Sequence, residues 1–222
     1  MIQQLPLAVR LNDSATFDNF FAMGNENALH DLITRVHPFT YLWGVPGTGK
    51  THLLQAACHA VGSGSAYLPL GEEGIIPEML EGMEQLSLLC LDNVETIGGD
   101  VAWETALFHL YNRLRDRGHQ LIVAASMSPV ALPLQLADLK SRLSWGSSYQ
   151  LTELSDTDKV LAMQERTRRR GMDLPTEVAE YLLKRYPRDM VSLFELIERL
   201  DEGSLVAQRK ITIPFVRQLL GL

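Results

Sequence analysis

Along the first two thirds of the chain, apolar positions fall into short unbroken runs separated by stretches of helical spacing. Phe39-Thr40-Tyr41-Leu42-Trp43, Ala66-Tyr67-Leu68-Pro69-Leu70, Leu86-Ser87-Leu88-Leu89-Cys90-Leu91 and Gln120-Leu121-Ile122-Val123-Ala124-Ala125-Ser126 read as strands. The third, which ends at Asp92, has the continuous apolar character of a strand buried on both faces. Between the strands, a helix starts at Asn25-Glu26-Asn27 and carries Ala28, Leu29, Leu32 and Ile33 on one face. A second opens at Thr51, a short one lies around Pro77 to Met83, and a long one covers Val101 to Arg117 and stops at Gly118. Strands alternating with helices predict an α/β fold, a parallel sheet sandwiched by helices.

The pattern changes near Tyr149 to Leu154. Beyond it only helical periodicity remains, with starts at Ser155-Asp156-Thr157-Asp158, Pro175-Thr176-Glu177, Arg188-Asp189 and Thr212-Ile213-Pro214. The expected organisation is a tail over 1–14, an α/β domain over 15–150 and a small all-helical domain over 151–222. The tail, Met1-Ile2-Gln3-Gln4-Leu5-Pro6-Leu7 at its start, is too short and proline-broken for a buried element.

Charge narrows the function. The net charge of −7 is the wrong sign for a chain that mainly grips phosphate backbones, which takes a basic face. The one basic run, Arg166-Thr167-Arg168-Arg169-Arg170, ends a helical pattern before Gly171, so two readings stay open: cations complementing a helix end, or a partner contact. No apolar run approaches the roughly 20 residues that span a bilayer, and no basic stretch with an apolar core opens the chain. A cytoplasmic protein without membrane contact is expected. Cys58 and Cys90 lie in apolar segments and read as buried reduced thiols, and the six histidines show no metal-ligand spacing.

The densest chemical signal is Gly44-Val45-Pro46-Gly47-Thr48-Gly49-Lys50-Thr51, between the first strand and the helix that begins near His52. Glycines let successive amide N–H groups curl toward a polyphosphate, and the helix N-terminus adds its positive end. Lys50 then sits as a point charge on the outer phosphates and Thr51 offers its hydroxyl to Mg²⁺. Asp92, ending an apolar strand, is placed to reach the same ion or its waters.

A phosphate-binding loop in an α/β domain followed by a helical lid resembles the AAA+ ATPases. Thr16-Phe17-Asp18-Asn19-Phe20, Gly49-Lys50-Thr51-His52-Leu53-Leu54, Leu139-Lys140-Ser141-Arg142-Leu143-Ser144-Trp145-Gly146 and Ile211-Thr212-Ile213-Pro214-Phe215-Val216 are similar to the AAA+ module of the bacterial replication initiator DnaA. The chain is expected to stop short of that initiator's helix-turn-helix DNA-binding domain. Such an acidic, truncated layout, with Asp92-Asn93-Val94-Glu95 after the third strand, resembles the family's regulatory branch.

What the resemblance implies is a regulator that is held by the DNA-loaded sliding clamp of the replicative polymerase, stimulates hydrolysis of DnaA-bound ATP and so represses re-initiation. DNA is then contacted only through the clamp. The other implied function is a self-sufficient AAA+ ATPase acting as helicase loader or remodelling factor. Arg142 is implied as an arginine finger acting on a partner's γ phosphate, and Ser126 as a sensor-1 residue, with a serine capping the turn before Pro129 as its alternative. Asn93 stands where active relatives carry an acid, and an amide cannot accept a proton. Val191 falls where the family's lid arginine belongs, leaving Arg188 one helical turn earlier. Both favour a diphosphate, ADP or another, as the resting ligand over ATP, with weak or no intrinsic hydrolysis. Phe20 and Phe21 either hold the base against the lid or are plain core. Gln3, Gln4, Leu5, Pro6 and Leu7 look like a clamp-binding peptide, with a frayed tail as the other reading. Self-association into a homodimer or higher oligomer stays open.

Overall fold

The computed structural model describes residues 15–207 and 210–221, and it divides into two compact units after Thr152. The first unit holds five parallel strands, β1 (Phe39–Trp43), β2 (Ser65–Pro69), β3 (Leu88–Asp92), β4 (Gln120–Ala125) and β5 (Ser147–Gln150), in the spatial order β2-β3-β4-β1-β5. Four helices accompany them: α1 (Glu26–Thr34), α2 (Lys50–Val61), α3 (Val101–Arg117) and α4 (Ala137–Leu143). The expected α/β sandwich, followed along the chain by a helical unit, is what the chain forms.

Strand parity decides which helix goes where. Leu42, Leu88, Cys90, Ile122 and Ala124 point to one face and pack with Leu53, Leu54, Ala57 and Cys58 of α2 and Ala28 and Leu32 of α1. The alternate residues Phe39, Tyr41, Leu89, Leu91, Leu121, Val123 and Ala125 meet Leu107, Leu110 and Leu114 of α3 and Leu139 and Leu143 of α4. A sheet buried on both faces explains the unbroken apolar runs, and each fully buried leucine contributes roughly 1.5–3 kcal/mol. Cys58 and Cys90 are buried free thiols.

Three local outcomes differ from the sequence pattern. The expected helix around Pro77 to Met83 is two 3₁₀ turns, Pro77–Leu80 and Met83–Gln85, broken where Gly82 takes φ 80°. β5 carries Ser147-Ser148-Tyr149-Gln150, too polar to read as a strand, yet it pairs with β1 as the sheet edge, Leu42 opposite Tyr149. α4 is seven residues long, less than the window over which helical periodicity shows.

The second unit packs four helices, α5 (Asp156–Arg169), α6 (Thr176–Leu183), α7 (Met190–Ala207) and α8 (Ile213–Leu220), around Met163, Val178, Leu182, Leu193, Ile197 and Val216. Ser155 caps α5 in a reciprocal box with Asp158, and Thr212 caps α8 ahead of Pro214. Among the described residues no helix is long and apolar enough to cross a membrane.

Candidate functional site

The loop at 44–49 leaves β1 at the carboxyl end of the sheet, between β4 and β5, where parallel sheets place their ligand crevices. Its glycines are dictated by space. A Cβ on Gly44 would lie 2.7 Å from the Leu151 carbonyl and 3.2 Å from Thr48 Oγ1. Gly49 has φ +90°, and a Cβ there would lie 2.6 Å from the Phe20 ring. Thr48 closes the turn by donating to the Val45 carbonyl at 3.0 Å. The helices α3, α5 and α8 begin with side-chain caps, whereas α2 begins at a glycine without one. Its first turn, with Lys50 and Thr51, sits against the loop at the positive end of the helix, the end suited to an anion. Phe20 stacks beside His52 with ring centroids 5.7 Å apart, and His52 Nε2 lies 2.8 Å from the Thr16 carbonyl. The structure thus brings Phe20 and His52 against the loop, while Phe21 is half-buried and Pro46 and Gly47 are exposed at the tip.

Asp92 organises the centre. Strand parity turns it to the α2 face, where it is 1% exposed. Its Oδ2 accepts from Thr51 Oγ1 at 2.6 Å and from the Tyr67 hydroxyl at 3.0 Å, and its Oδ1 accepts from the Asn93 amide at 3.0 Å. Burial and the adjacent Asp92 carboxylate push the Tyr67 hydroxyl's pKa far up, so it stays a donor. Tyr67 is a site residue that the sequence reading missed. Its signal is available: two residues before Pro69 on β2, it shares Asp92's face of the sheet.

Lys50 donates to the carbonyls of Gly44 at 2.6 Å and Val45 at 3.0 Å and is 8% exposed. Burial lowers its pKa, opposed by the carboxylates of Asp92 and Glu95. Glu95, the acid two residues beyond Asn93 that sequence alone does not place at the phosphates, has a charge that reaches both Lys50 and Tyr41. It sits in the 3₁₀ turn Val94–Ile97, and its Oε1 accepts from the Ser126 backbone amide at 3.0 Å. Ser126 itself is exposed just beyond β4.

Arg142 lies elsewhere, on α4, and α4 packs on the opposite face of the sheet from α2. Its guanidinium stacks 4.8 Å from the Phe108 ring centroid and 5.8 Å from that of Tyr111, both on α3. It forms no ion pair among the described residues, and its Nε is buried without a hydrogen-bond partner there. Glu104, 1% exposed on α3, accepts from the amides of Gly99, Gln135 and Leu136 at 2.6–3.1 Å. That ties the segment entering α4, the helix that carries Arg142, to α3. Sequence gives no sign of this, because three backbone donors leave no residue-type signature.

In the second unit, Arg188 pairs with Asp156 at 3.2 Å and Val191, near the start of α7, is 66% exposed. The basic run is internally compensated: Arg166 and Arg170 bond Glu198, Arg170 also bonds Asp201, and Arg168 and Arg169 share Glu165. Gln3, Gln4, Leu5, Pro6 and Leu7 lie outside the described residues.

Two family models match. That of the Hda lid domain covers residues 156–220, and that of the bacterial DnaA ATPase domain covers residues 73–150, a span that includes Asp92, Glu95, Ser126 and Arg142. Among solved structures, domain III of the Thermotoga maritima replication initiation protein DnaA aligns with a TM-score of 0.75 at 22% identity, over 96% of this chain and 98% of that one. AMPPCP-bound DnaA from Aquifex aeolicus aligns with a TM-score of 0.73 at 25% identity, over 88% and 67%. A replication initiator DnaA bound to AMPPCP and single-stranded DNA gives 0.70 at 25% identity, over 90% and 70%.

Proposed function

We propose that this chain, a DnaA-related AAA+ protein with an Hda-type lid, is a regulator that holds a nucleotide in its own phosphate loop and lends Arg142 to the ATP site of a DnaA molecule. Hydrolysis of the initiator's ATP is then the product of the encounter, and re-initiation of replication is repressed. The sliding clamp on DNA concentrates the regulator near its target through the peptide Gln3 to Leu7. In the phosphate loop, the α2 amides and Lys50 bind the phosphates. Thr51 Oγ1 and the Asp92 carboxylate, converging at 2.6 Å, are hard oxygen donors suited to Mg²⁺, which when bound offsets phosphate charge. ADP is the resting ligand, because Val191 offers no lid cation to hold a γ phosphate, while Asn93, which cannot accept a proton, keeps intrinsic hydrolysis slow.

The observation that carries the reading is the state of Arg142. It is a guanidinium held on an aromatic shelf with no ion-pair partner among the described residues, on the opposite face of the sheet from α2. A neighbour's γ phosphate supplies the missing anion, and arginine fingers contribute about 10³–10⁵ in rate in other phosphoryl-transfer systems. The test is phosphate release from ATP-loaded DnaA, with the chain and clamp-loaded DNA added. Arg142→Ala is expected to abolish the stimulation while leaving the variant's own nucleotide affinity intact, and Arg142→Lys to restore little, since lysine lacks the planar fork. Stimulation surviving in Arg142→Ala would overturn the reading. Turnover by the isolated chain that DnaA and clamp leave unchanged would favour the self-sufficient ATPase instead.

A further inference from the structure

We propose that Tyr67 is a positioning residue for the metal side of the phosphate loop: its hydroxyl fixes the Asp92 carboxylate so that Thr51 Oγ1 gives its proton to Asp92 and offers its lone pairs to a divalent cation. The inference rests on the loop holding a nucleotide with Mg²⁺, and it needs neither a partner nor hydrolysis. Three elements meet at one carboxylate. Thr51 stands in the first turn of α2, Tyr67 on β2 and Asp92 at the end of β3. In the parallel pairing of β2 with β3, Tyr67 lies opposite Cys90 and Pro69 opposite Asp92, so the side chains of Tyr67 and Asp92 leave the sheet on the α2 face. There Asp92 Oδ2 accepts from Thr51 Oγ1 at 2.6 Å and from the Tyr67 hydroxyl at 3.0 Å, while Oδ1 accepts from the Asn93 amide at 3.0 Å.

With donors on both oxygens and 1% exposure, the carboxylate cannot turn without leaving a buried charge short of partners. The consequence falls on Thr51. A hydroxyl has one proton and two lone pairs, and this proton is committed by a bond of charge-assisted length. Thr51 is itself exposed, so its lone pairs remain accessible. Gln55, one helical turn beyond Thr51 and 9% exposed, hydrogen-bonds the Tyr67 hydroxyl in turn. The bonds therefore run from Gln55 through Tyr67 and Asp92 to Thr51, beginning and ending on α2. A tyrosine serving only the core has no need of that link, because its ring already packs with the α2-facing cluster. A hydroxyl that orients a ligating group from behind is the kind of support whose loss weakens metal binding about 10–100-fold.

The experiment measures two affinities of the full chain without DnaA. One is for a fluorescent ADP analogue in EDTA; the other is that of the ADP-loaded chain for Mn²⁺, a hard-oxygen-binding stand-in for Mg²⁺ followed by electron paramagnetic resonance. Tyr67→Phe keeps the ring and removes the donor. It is expected to bind the analogue in EDTA as the unmodified chain does and to hold Mn²⁺ about 10–100-fold more weakly, with excess Mn²⁺ restoring full occupancy. Thermal melting with ADP bound checks that the variant is folded. A purely structural Tyr67 would lower the melting temperature and leave the Mn²⁺ affinity unchanged, and that result overturns the proposal. Equal losses of analogue and Mn²⁺ binding overturn it too, because the hydroxyl would then support the loop as a whole. An unmodified ADP-loaded chain that binds Mn²⁺ no better than free ADP would sink the metal site itself, and one that binds no analogue would sink the nucleotide reading; both failures are distinguishable because the variant plays no part in them.

Discussion

Lys50 has two carbonyl acceptors and little water, an arrangement that holds an ammonium ready without satisfying it as phosphates would. Burial lowers its pKa. Bound phosphates add opposite charge, so the pKa rises on binding and the protonated form is the one that binds. The sign follows: affinity is full below the lowered free-state pKa and falls as pH rises through it. Nucleotide titrations at increasing alkaline pH are therefore expected to weaken earlier than an ordinary lysine, near 10.4, would dictate. Lys50→Ala should lose affinity by about 10²–10³-fold, two charge-assisted bonds' worth, and lose that pH dependence with it. Lys50, Thr51 and Asp92 are legible in sequence because a glycine-spaced loop and a strand ending in an acid each have a pattern. Tyr67 and Glu95 are not, since one depends on which face of β2 meets β3 and the other on a single left-handed residue redirecting the chain.

At the scale of elements, α3 is the part best written into the sequence: Asp100 caps it through the amides of Ala102 and Trp103, and Gly118 ends it at φ 69°. What α3 does for its neighbour is hidden. Glu104 gathers three backbone donors that no regular element satisfies, and through them the segment before α4 is held in place. Glu104→Ala removes a buried charged acceptor from three part-buried amides, at up to about 1–3 kcal/mol for each that water does not reach. A stability loss of about 3 kcal/mol or more is expected in urea unfolding at 25 °C. Glu104→Gln, which retains one acceptor oxygen, should lose less. An exposed-site-sized effect from Glu104→Ala would mean that the loop finds other partners. α4 and β5 escape a sequence reading for a related reason, because both are short elements whose stability comes from the sheet and α3 they pack on rather than from their own periodicity.

For the whole molecule, the two-unit plan and the parallel sheet follow from a change of period, from strand-and-helix alternation to helix alone near residue 150, and the structure divides at Thr152. Charge behaves less simply than a count suggests. The chain carries −7 overall while concentrating four arginines within residues 166–170, and sequence leaves that run open between a solvated helix end and a contact. Geometry favours the first: all four meet Glu165, Glu198 or Asp201, so their field is largely cancelled within the lid. Cations already paired release few counterions from a duplex, and little electrostatic affinity remains. The isolated chain is expected to bind duplex DNA no more tightly than the non-specific range of about 10⁻⁴–10⁻⁶ M at physiological salt, by fluorescence anisotropy. Arg168→Ala with Arg169→Ala should change neither that value nor the proposed stimulation of DnaA, because exposed pairs of this kind contribute about 0–1 kcal/mol. Tight binding with a steep salt dependence, lost in the double variant, would instead make the run a nucleic-acid contact and give the helical unit a direct grip on DNA.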